Sequence, residues 1–249
     1  MSTITLTSGN DTVKFGFGLT GSVNGTPTTL TGNTFDGAGG VNAITDPYSM
    51  VNPYFTVSLA DTGVVTFTNA SGAVGFVNFQ KLQFTDVSLD LGTANADTIT
   101  STSATGDKLY GFAGNDILTG GAGADTLYGG SGNDHLIATS GHTFMNGGSG
   151  NDTLTSGTGV DQMTGGTGHD LFVISAHSTK DTITDFTLTG VNSDVINLHG
   201  SGVAAHTFAQ LLTHMTQSGK NAVIDLGSHH TVTLDNVSLH SLVAHDFVL

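Results

Sequence analysis

The chain contains no cysteine, no glutamate and no arginine: all twenty acidic residues are Asp and all five basic residues are Lys. Without cysteine there is no disulfide framework, no thiolate metal site and no thiol nucleophile. Without glutamate an HExxH zinc-protease helix cannot exist. No GxSxG elbow or P-loop lysine occurs, and the residues before Gly92 carry no histidine, so no catalytic constellation is expected there. No hydrophobic run is long enough to span a membrane. The opening MSTITLTSGNDTV has neither the basic nor the apolar region of a Sec signal, so export by a Sec leader is not expected. A net charge of −15 opposes binding to nucleic acid or to an anionic membrane.

What the chain has in abundance is glycine and aspartate in a fixed period. From Gly92 it reads GTANADTIT, then, after the extra residue Ser101, TSATGDKLY, GFAGNDILT, GGAGADTLY, GGSGNDHLI, ATSGHTFMN, GGSGNDTLT, SGTGVDQMT and GGTGHDLFV, ending at Val173. The consensus is GGxGxDxUx, with U a large apolar residue. Glycines at positions one, two and four are expected to adopt φ > 0 and to turn backbone carbonyls toward a common centre, while the Asp at position six supplies an anionic oxygen. Such an all-oxygen cage suits several Ca²⁺ ions better than Mg²⁺ or a soft metal. The expected metal ligands are Asp97, Asp107, Asp116, Asp125, Asp134, Asp152, Asp161 and Asp170, with Gly111, Gly114, Gly120, Gly123, Gly129, Gly132, Gly147, Gly150, Gly159, Gly165 and Gly168 shaping the loops.

Nine residues make half a coil, so the apolar residue at position eight (Ile99, Leu109, Leu118, Leu127, Leu136, Met145, Leu154, Met163, Phe172) points inward from a three-residue strand. Residues eighteen apart then become neighbours, about 4.8 Å from one another. One edge stacks Asp116, Asp134, Asp152 and Asp170, which makes three inter-turn sites; on the other, Asp107 and Asp125 pair and Thr143 interrupts the line before Asp161. Outward positions seven and nine set Tyr110 and Tyr128 one coil apart with Phe144 nearby, and Ile117, Ile137, Leu171 and Val173 on the other sheet.

These repeats resemble the hemolysin-type calcium-binding repeats of the RTX family. The resemblance implies an all-β chain built on a parallel β-roll, folded by calcium outside the cell and delivered by a type I exporter. Sites with affinities of about 10⁻⁴–10⁻³ M, typical of extracellular modules, also fill only outside a cytosol.

The roll, residues 92–173, is expected to be flanked by an antiparallel β module over 1–91 and by a β cap with short helices over 174–249. Alternation in Phe55-Val57-Leu59, Val65-Phe67 and Val87-Leu89-Leu91 reads as antiparallel strands. SGNDTV from Ser8 looks like a lone half-turn with Asp11 on an ion. After Ile174, Phe208, Leu211, Leu212 and Met215 have helical spacing, and AVIDL and TVTL read as strands. Asp181 and Asp185, with Asp194, are candidates for one further Ca²⁺ at the seam. Asp246 before Phe247, Val248 and Leu249 is similar to the terminal address of type I substrates. The eleven histidines read as surface and turn residues, with a transition-metal site as the weaker alternative.

Taken together, the sequence is expected to be a non-enzymatic, secreted or cell-surface structural protein that binds several Ca²⁺ ions and self-assembles as a homo-oligomer, filament or lattice in a surface layer, fibre or biofilm matrix. The alternatives are a monomeric adhesin or carbohydrate-binding module that meets a surface polysaccharide through Tyr110 and Tyr128, and an unrecognised secreted enzyme.

Overall fold

A computed structural model describes residues 89–101, 104–176, 179–188, 190 and 193–249 with their side chains, and, N-terminal to these, the backbone of the strands named below. The chain divides into two compact units, Met1–Thr93 and Ala94–Leu249.

The first unit pairs its strands in both senses. Thr3–Thr5, Thr34–Asp36 and Gly72–Val77 run parallel, and Val65–Asn69 and Thr56–Leu59 continue that sheet antiparallel. In the second sheet Thr26–Thr29, Thr20–Val23 and Thr12–Gly16 are antiparallel; Ala43–Thr45 lies parallel between Thr12–Gly16 and Lys81–Gln83; and Ser88–Leu91 closes antiparallel on Lys81–Gln83. The strands read from alternation at Val57-Leu59, Val65-Phe67 and Leu89-Leu91 pair antiparallel as expected, and the parallel pairs are additional to them. Alternation of apolar residues fixes which faces a strand has, but both pairing senses share that period. The half-turn proposed at Ser8 to Asp11 lies outside the described residues.

In the second unit, the nonapeptide period becomes two parallel sheets facing each other. One stacks Lys108–Ala113, Thr126–Ser131, Phe144–Ser149, Gln162–Thr167 and Lys180–Ile183; the other stacks Thr98–Thr100, Ile117–Thr119, His135–Ile137, Thr153–Thr155, Leu171–Val173 and Val195–Asn197. The pairing offset is eighteen throughout the repeats and nineteen at Thr98↔Ile117, where Ser101 is inserted. The extra residue is accommodated without a break: Ser101 donates its backbone N–H to Thr119 at 2.9 Å and its hydroxyl to Asp107.

Position eight builds the core. Leu109, Leu118, Leu127, Leu136, Met145, Leu154, Met163 and Phe172 are all 0 % exposed, and Ile99 is half-buried at the end of the stack. Each such burial stabilises the roll by roughly 1.5–3 kcal/mol. The strands of the two sheets differ in length, against the expectation of three residues throughout. In the first sheet each strand that starts in a repeat, from Lys108 to Gln162, continues through positions one to three of the next, giving six residues, whereas the second keeps three.

Beyond Val173 the coil is completed by non-repeat sequence. His230–Leu234 extends the first sheet parallel to Lys180–Ile183, and Asn221–Gly227 and Met215–Ser218 follow antiparallel. The helix is one turn only, Phe208–Leu211, N-capped by Thr207 and followed by a 3-10 turn, Leu212–His214. Met215, expected on the helix face, instead opens a strand opposite Ile224 and is buried there, since pairing with the hairpin serves its apolar side chain as well as a helix would. Phe247–Val248 adds to the second sheet beside Val195–Asn197, with the Phe247 ring stacked on Phe208 at 5.8 Å. Asp246 is 0 % exposed and accepts the Val243 N–H at 2.7 Å.

Candidate metal centre

Each edge of the roll carries a ladder of carboxylates. On the first edge the backbone N–H groups of Asp97, Asp116, Asp134 and Asp152 donate to Oδ1 of Asp116, Asp134, Asp152 and Asp170, each at 2.8 Å, and Asp170 N–H donates to Asp194 at 3.0 Å. One oxygen of each Asp is thereby used to tie its coil to the one before. The other, Oδ2 of Asp116, Asp134, Asp152 and Asp170, is buried and has no hydrogen-bond partner. These residues are at most 2 % exposed. A line of half-satisfied buried carboxylates is costly unless a cation or a proton completes each one.

The glycines explain where a cation would fit. A Cβ on Gly111 would collide with Asp116 Oδ2 and lie 2.6 Å from the Gly129 carbonyl oxygen; one on Gly129 would meet Asp134 Oδ2 and, at 2.5 Å, the Gly147 carbonyl; one on Gly147 would meet Asp152 Oδ2 and, at 2.7 Å, the Gly165 carbonyl. A carboxylate oxygen and a carbonyl oxygen from the next coil therefore flank the same point in three successive turns. Gly120 similarly sits 2.9 Å, at its missing Cβ, from Asp125 Oδ2. The position-one glycines are not left-handed, which corrects that part of the sequence reading; they are glycine for space. Left-handed φ belongs to position four (Gly114, Gly123, Gly132, Gly150, Gly159 and Gly168, at 114–137°) and, on the first edge, to position two. No three His, Cys, Asp or Glu side chains converge into a metal cluster among the described residues. The donor set is thus carboxylate plus backbone carbonyl, all oxygen and flexible, the chemistry that suits calcium.

The second edge is built differently. Asp107 N–H donates to Asp125 Oδ1 at 2.8 Å, Thr143 N–H to Asp161 at 3.0 Å and Asp161 N–H to Asp181 Oδ1 at 3.0 Å. Here Asp161 Oδ2 accepts the Gly157 N–H at 2.9 Å, so its second oxygen is already engaged by its own loop. Asp125 Oδ2, by contrast, is buried without a hydrogen-bond partner, as on the first edge. Thr143, in an aspartate slot, is buried with an unpartnered Oγ1. The edges also differ in conformation at position two. On the first edge Phe112, Gly130, Gly148 and Gly166 have φ of 73, 112, 108 and 102° and lie in the strand ladder.

A second ladder escaped the sequence reading. Asn133 and Asn151 N–H groups donate to Asn115 and Asn133 Oδ1 at 2.8 Å, and His169 N–H to Asn151 Oδ1 at 2.9 Å. It runs opposite in sense to the Asp ladder, and its signal was the repeated GND of the units beginning at Gly111, Gly129 and Gly147. Asp185 closes the end of the roll, accepting the N–H groups of Gly165 and Gly166 at 2.9 and 2.8 Å.

Burial pushes the carboxyls up, against backbone N–H groups that lower them: Asp116 and Asp194 to about 6 and Asp152 to about 7, from an ordinary value of 3.8. A raised folded-state pKa means that the protonated form favours folding below about pH 4 and that this contribution is lost as pH rises through about 6–7. Above pH 7 the buried charges oppose folding unless a cation binds, and below it protons compete with the cation. Protonation between pH 8 and 5 stabilises the fold in the cation's place, so the calcium midpoint for folding is expected to fall as pH falls from 8 to 5. A midpoint independent of pH over that range, measured by circular dichroism, would contradict the assignment.

Residues 101–136, 110–145 and 137–172 each match the family model of the RTX calcium-binding nonapeptide repeat (4 copies). No curated protein matches the chain. Among solved structures it is similar to the extracellular lipase LipA from Serratia marcescens, with 17 % identity and a TM-score of 0.25, over 100 % of this chain and 40 % of that one, so the chain spans less than half the lipase's length. No helix among the described residues is long and apolar enough to cross a membrane. The tract whose loops line up these carboxylates, residues 101–172, is one of RTX-type calcium-binding nonapeptide repeats, the kind carried by calcium-dependent secreted proteins.

Proposed function

We propose that this chain is a non-catalytic secreted structural protein, exported unfolded by a type I system, folded by extracellular calcium and then self-assembled into a surface layer, fibre or matrix. The observation that carries the calcium part is the row of buried carboxylate oxygens on the first edge, each without a partner, in a chain of net charge −15. Cations remove both the local and the global repulsion, so folding and binding become one event. The proposed export address supports the order of events: Asp246 and Phe247 are packed into the folded cap, so an exporter that reads them reads the chain before it folds.

Assembly is supported by the surface. The outward side of the second sheet within the repeats, among them Ile117, Thr119, His135, Ile137, Thr153, Thr155, Leu171 and Val173, carries no Asp or Lys, and Ile117 is 41 % exposed. In so acidic a chain this is the face on which two copies approach without repulsion. Met215–Ser218 is the outermost strand of its sheet, with Thr216, Gln217 and Ser218 exposed. The adhesin reading draws on the Tyr110 and Tyr128 column. Their rings lie 4.9 Å apart at 14°, with Phe144 at 5.9 Å from Tyr128, so the tyrosine faces are turned on each other rather than toward a sugar. In millimolar calcium, light scattering is expected to report particles that grow with protein concentration. If only the 25.3 kDa monomer is seen at high concentration, the assembly reading falls; saturable glycan binding by that monomer would put the adhesin in its place.

A further inference from the structure

The two edges of the roll differ in whether a turn presents both of the oxygens that face a cation. At Gly111, Gly129 and Gly147 on the first edge, an unpartnered Asp Oδ2 and the carbonyl of the next coil's position-one glycine flank the same point. Along the second edge, from Asp107 to Asp161, every turn lacks part of that pair. At the first turn the Ser101 hydroxyl donates to Asp107 Oδ2, and the carbonyl of Gly120, the next coil's position-one residue, accepts the Thr139 hydroxyl. At the second, Asp125 Oδ2 is buried and unpartnered, but the three atoms nearest to the missing Cβ of Gly120 all belong to Asp125 itself, so no carbonyl faces that oxygen there. Thr143 stands in place of the third carboxylate. At the fourth turn Asp161 Oδ2 accepts the Gly157 N–H at 2.9 Å. Position one of that unit is Ser156 rather than glycine, buried, with its hydroxyl oxygen accepting the Ser175 N–H at 3.0 Å.

We infer that calcium binds along the first edge only, and that the second edge is closed by the chain's own donors, chiefly the Ser101 and Thr139 hydroxyls and the Gly157 N–H. The inference rests on the calcium reading of the repeats. What draws an ion to the first edge is a buried carboxylate oxygen that nothing else completes. A donor hydrogen aimed at Asp107 Oδ2 or Asp161 Oδ2 removes that demand and sets a partial positive charge against the oxygen that a cation would approach. A Ca²⁺ ion takes about six to eight oxygens, and Asp125 brings one free oxygen with no carbonyl beside Gly120 to share the ion. Ser101, the residue inserted into the period of nine, thus supplies the donor that closes the first turn. Each coil contributes a turn to both edges, so ions on the first order the second as well, and folding and binding remain one event.

The test is equilibrium dialysis of the full chain against saturating calcium at pH 8, counting bound calcium per chain, before and after Asp125→Asn on the second edge and Asp134→Asn on the first. Each change keeps an oxygen for the neighbouring N–H and removes the charge of a carboxylate whose second oxygen is unpartnered. D125N is expected to bind as much calcium as wild type, and D134N to lose at least one ion with its carboxylate ligand. A loss of calcium in D125N, or none in D134N, overturns the one-edge assignment and leaves the calcium reading of the repeats intact, whereas a wild-type chain that takes up no calcium overturns that underlying reading. Should either variant fail to fold in saturating calcium, crystals of the wild-type protein grown with calcium decide the matter. Anomalous peaks beside Asp116, Asp134 and Asp152 with none beside Asp107, Asp125 and Asp161 support the assignment. A peak beside any of the latter three overturns it, and no peak on either edge overturns the calcium reading itself.

Discussion

Replacing Asp152 with Ala is expected to raise the calcium concentration at the folding midpoint roughly three- to fourfold, and replacing Asp161 to raise it much less. Asp152 Oδ1 holds the preceding coil through Asp134 N–H, and Asp152 N–H holds the following one through Asp170. Its Oδ2 is buried without a partner and is therefore available to an ion. Losing a charged acceptor of this kind costs about 3 kcal/mol. Spread over roughly four ions bound cooperatively, that cost moves the midpoint by the stated factor, because each ion contributes its own share of the linkage. Asp161 has less to lose, since Gly157 N–H already occupies its second oxygen and its neighbour in the ladder is Thr143. Thr143→Asp should shift the midpoint the other way, by supplying a carboxylate where a hydroxyl is now buried without a partner. Equal midpoints for the Asp152 and Asp161 variants would show that the engaged second oxygen of Asp161 does not matter.

The unequal edges also mark where the sequence stops being informative. The period of nine sufficed to place Leu109 to Phe172 in one core, to put Asp116, Asp134, Asp152 and Asp170 in one column, and to locate the break at Thr143, because each of these depends only on spacing. The φ angle at position two does not follow from spacing. Gly121 and Gly130 are the same residue at the same repeat position, yet only Gly130 is left-handed. Tertiary pairing of the longer strands makes that choice, and a one-dimensional pattern does not contain it. The Asn115, Asn133 and Asn151 ladder was present as a repeated GND, but Asn beside Asp also reads as ordinary turn chemistry. Phe112 illustrates the same limit from the other side. Its φ of 73° is one that glycine adopts freely and a phenylalanine does not, and it is held there by the column of left-handed residues stacked on it.

The largest effect of all is expected from calcium itself. With no cation bound, folding of the roll would bury the first-edge carboxylates with their second oxygens unpartnered, in a chain that carries twenty Asp against five Lys. Burial already pushes Asp152 to about 7, so at pH 8 neither protonation nor a neighbouring base offsets the charge. The measurement that bears most directly on this is far-UV circular dichroism together with small-angle scattering at pH 8, first in excess EGTA and then in millimolar calcium. The roll's β signal should be absent in EGTA and return with calcium. The radius of gyration should contract at the same calcium concentration, on a scale set by about 55 Å for an unfolded and about 18 Å for a compact chain of 249 residues. A chain that keeps both its β signal and its radius in EGTA would show that the buried aspartates are satisfied without calcium, and the account of the roll as a calcium-folded element would be wrong.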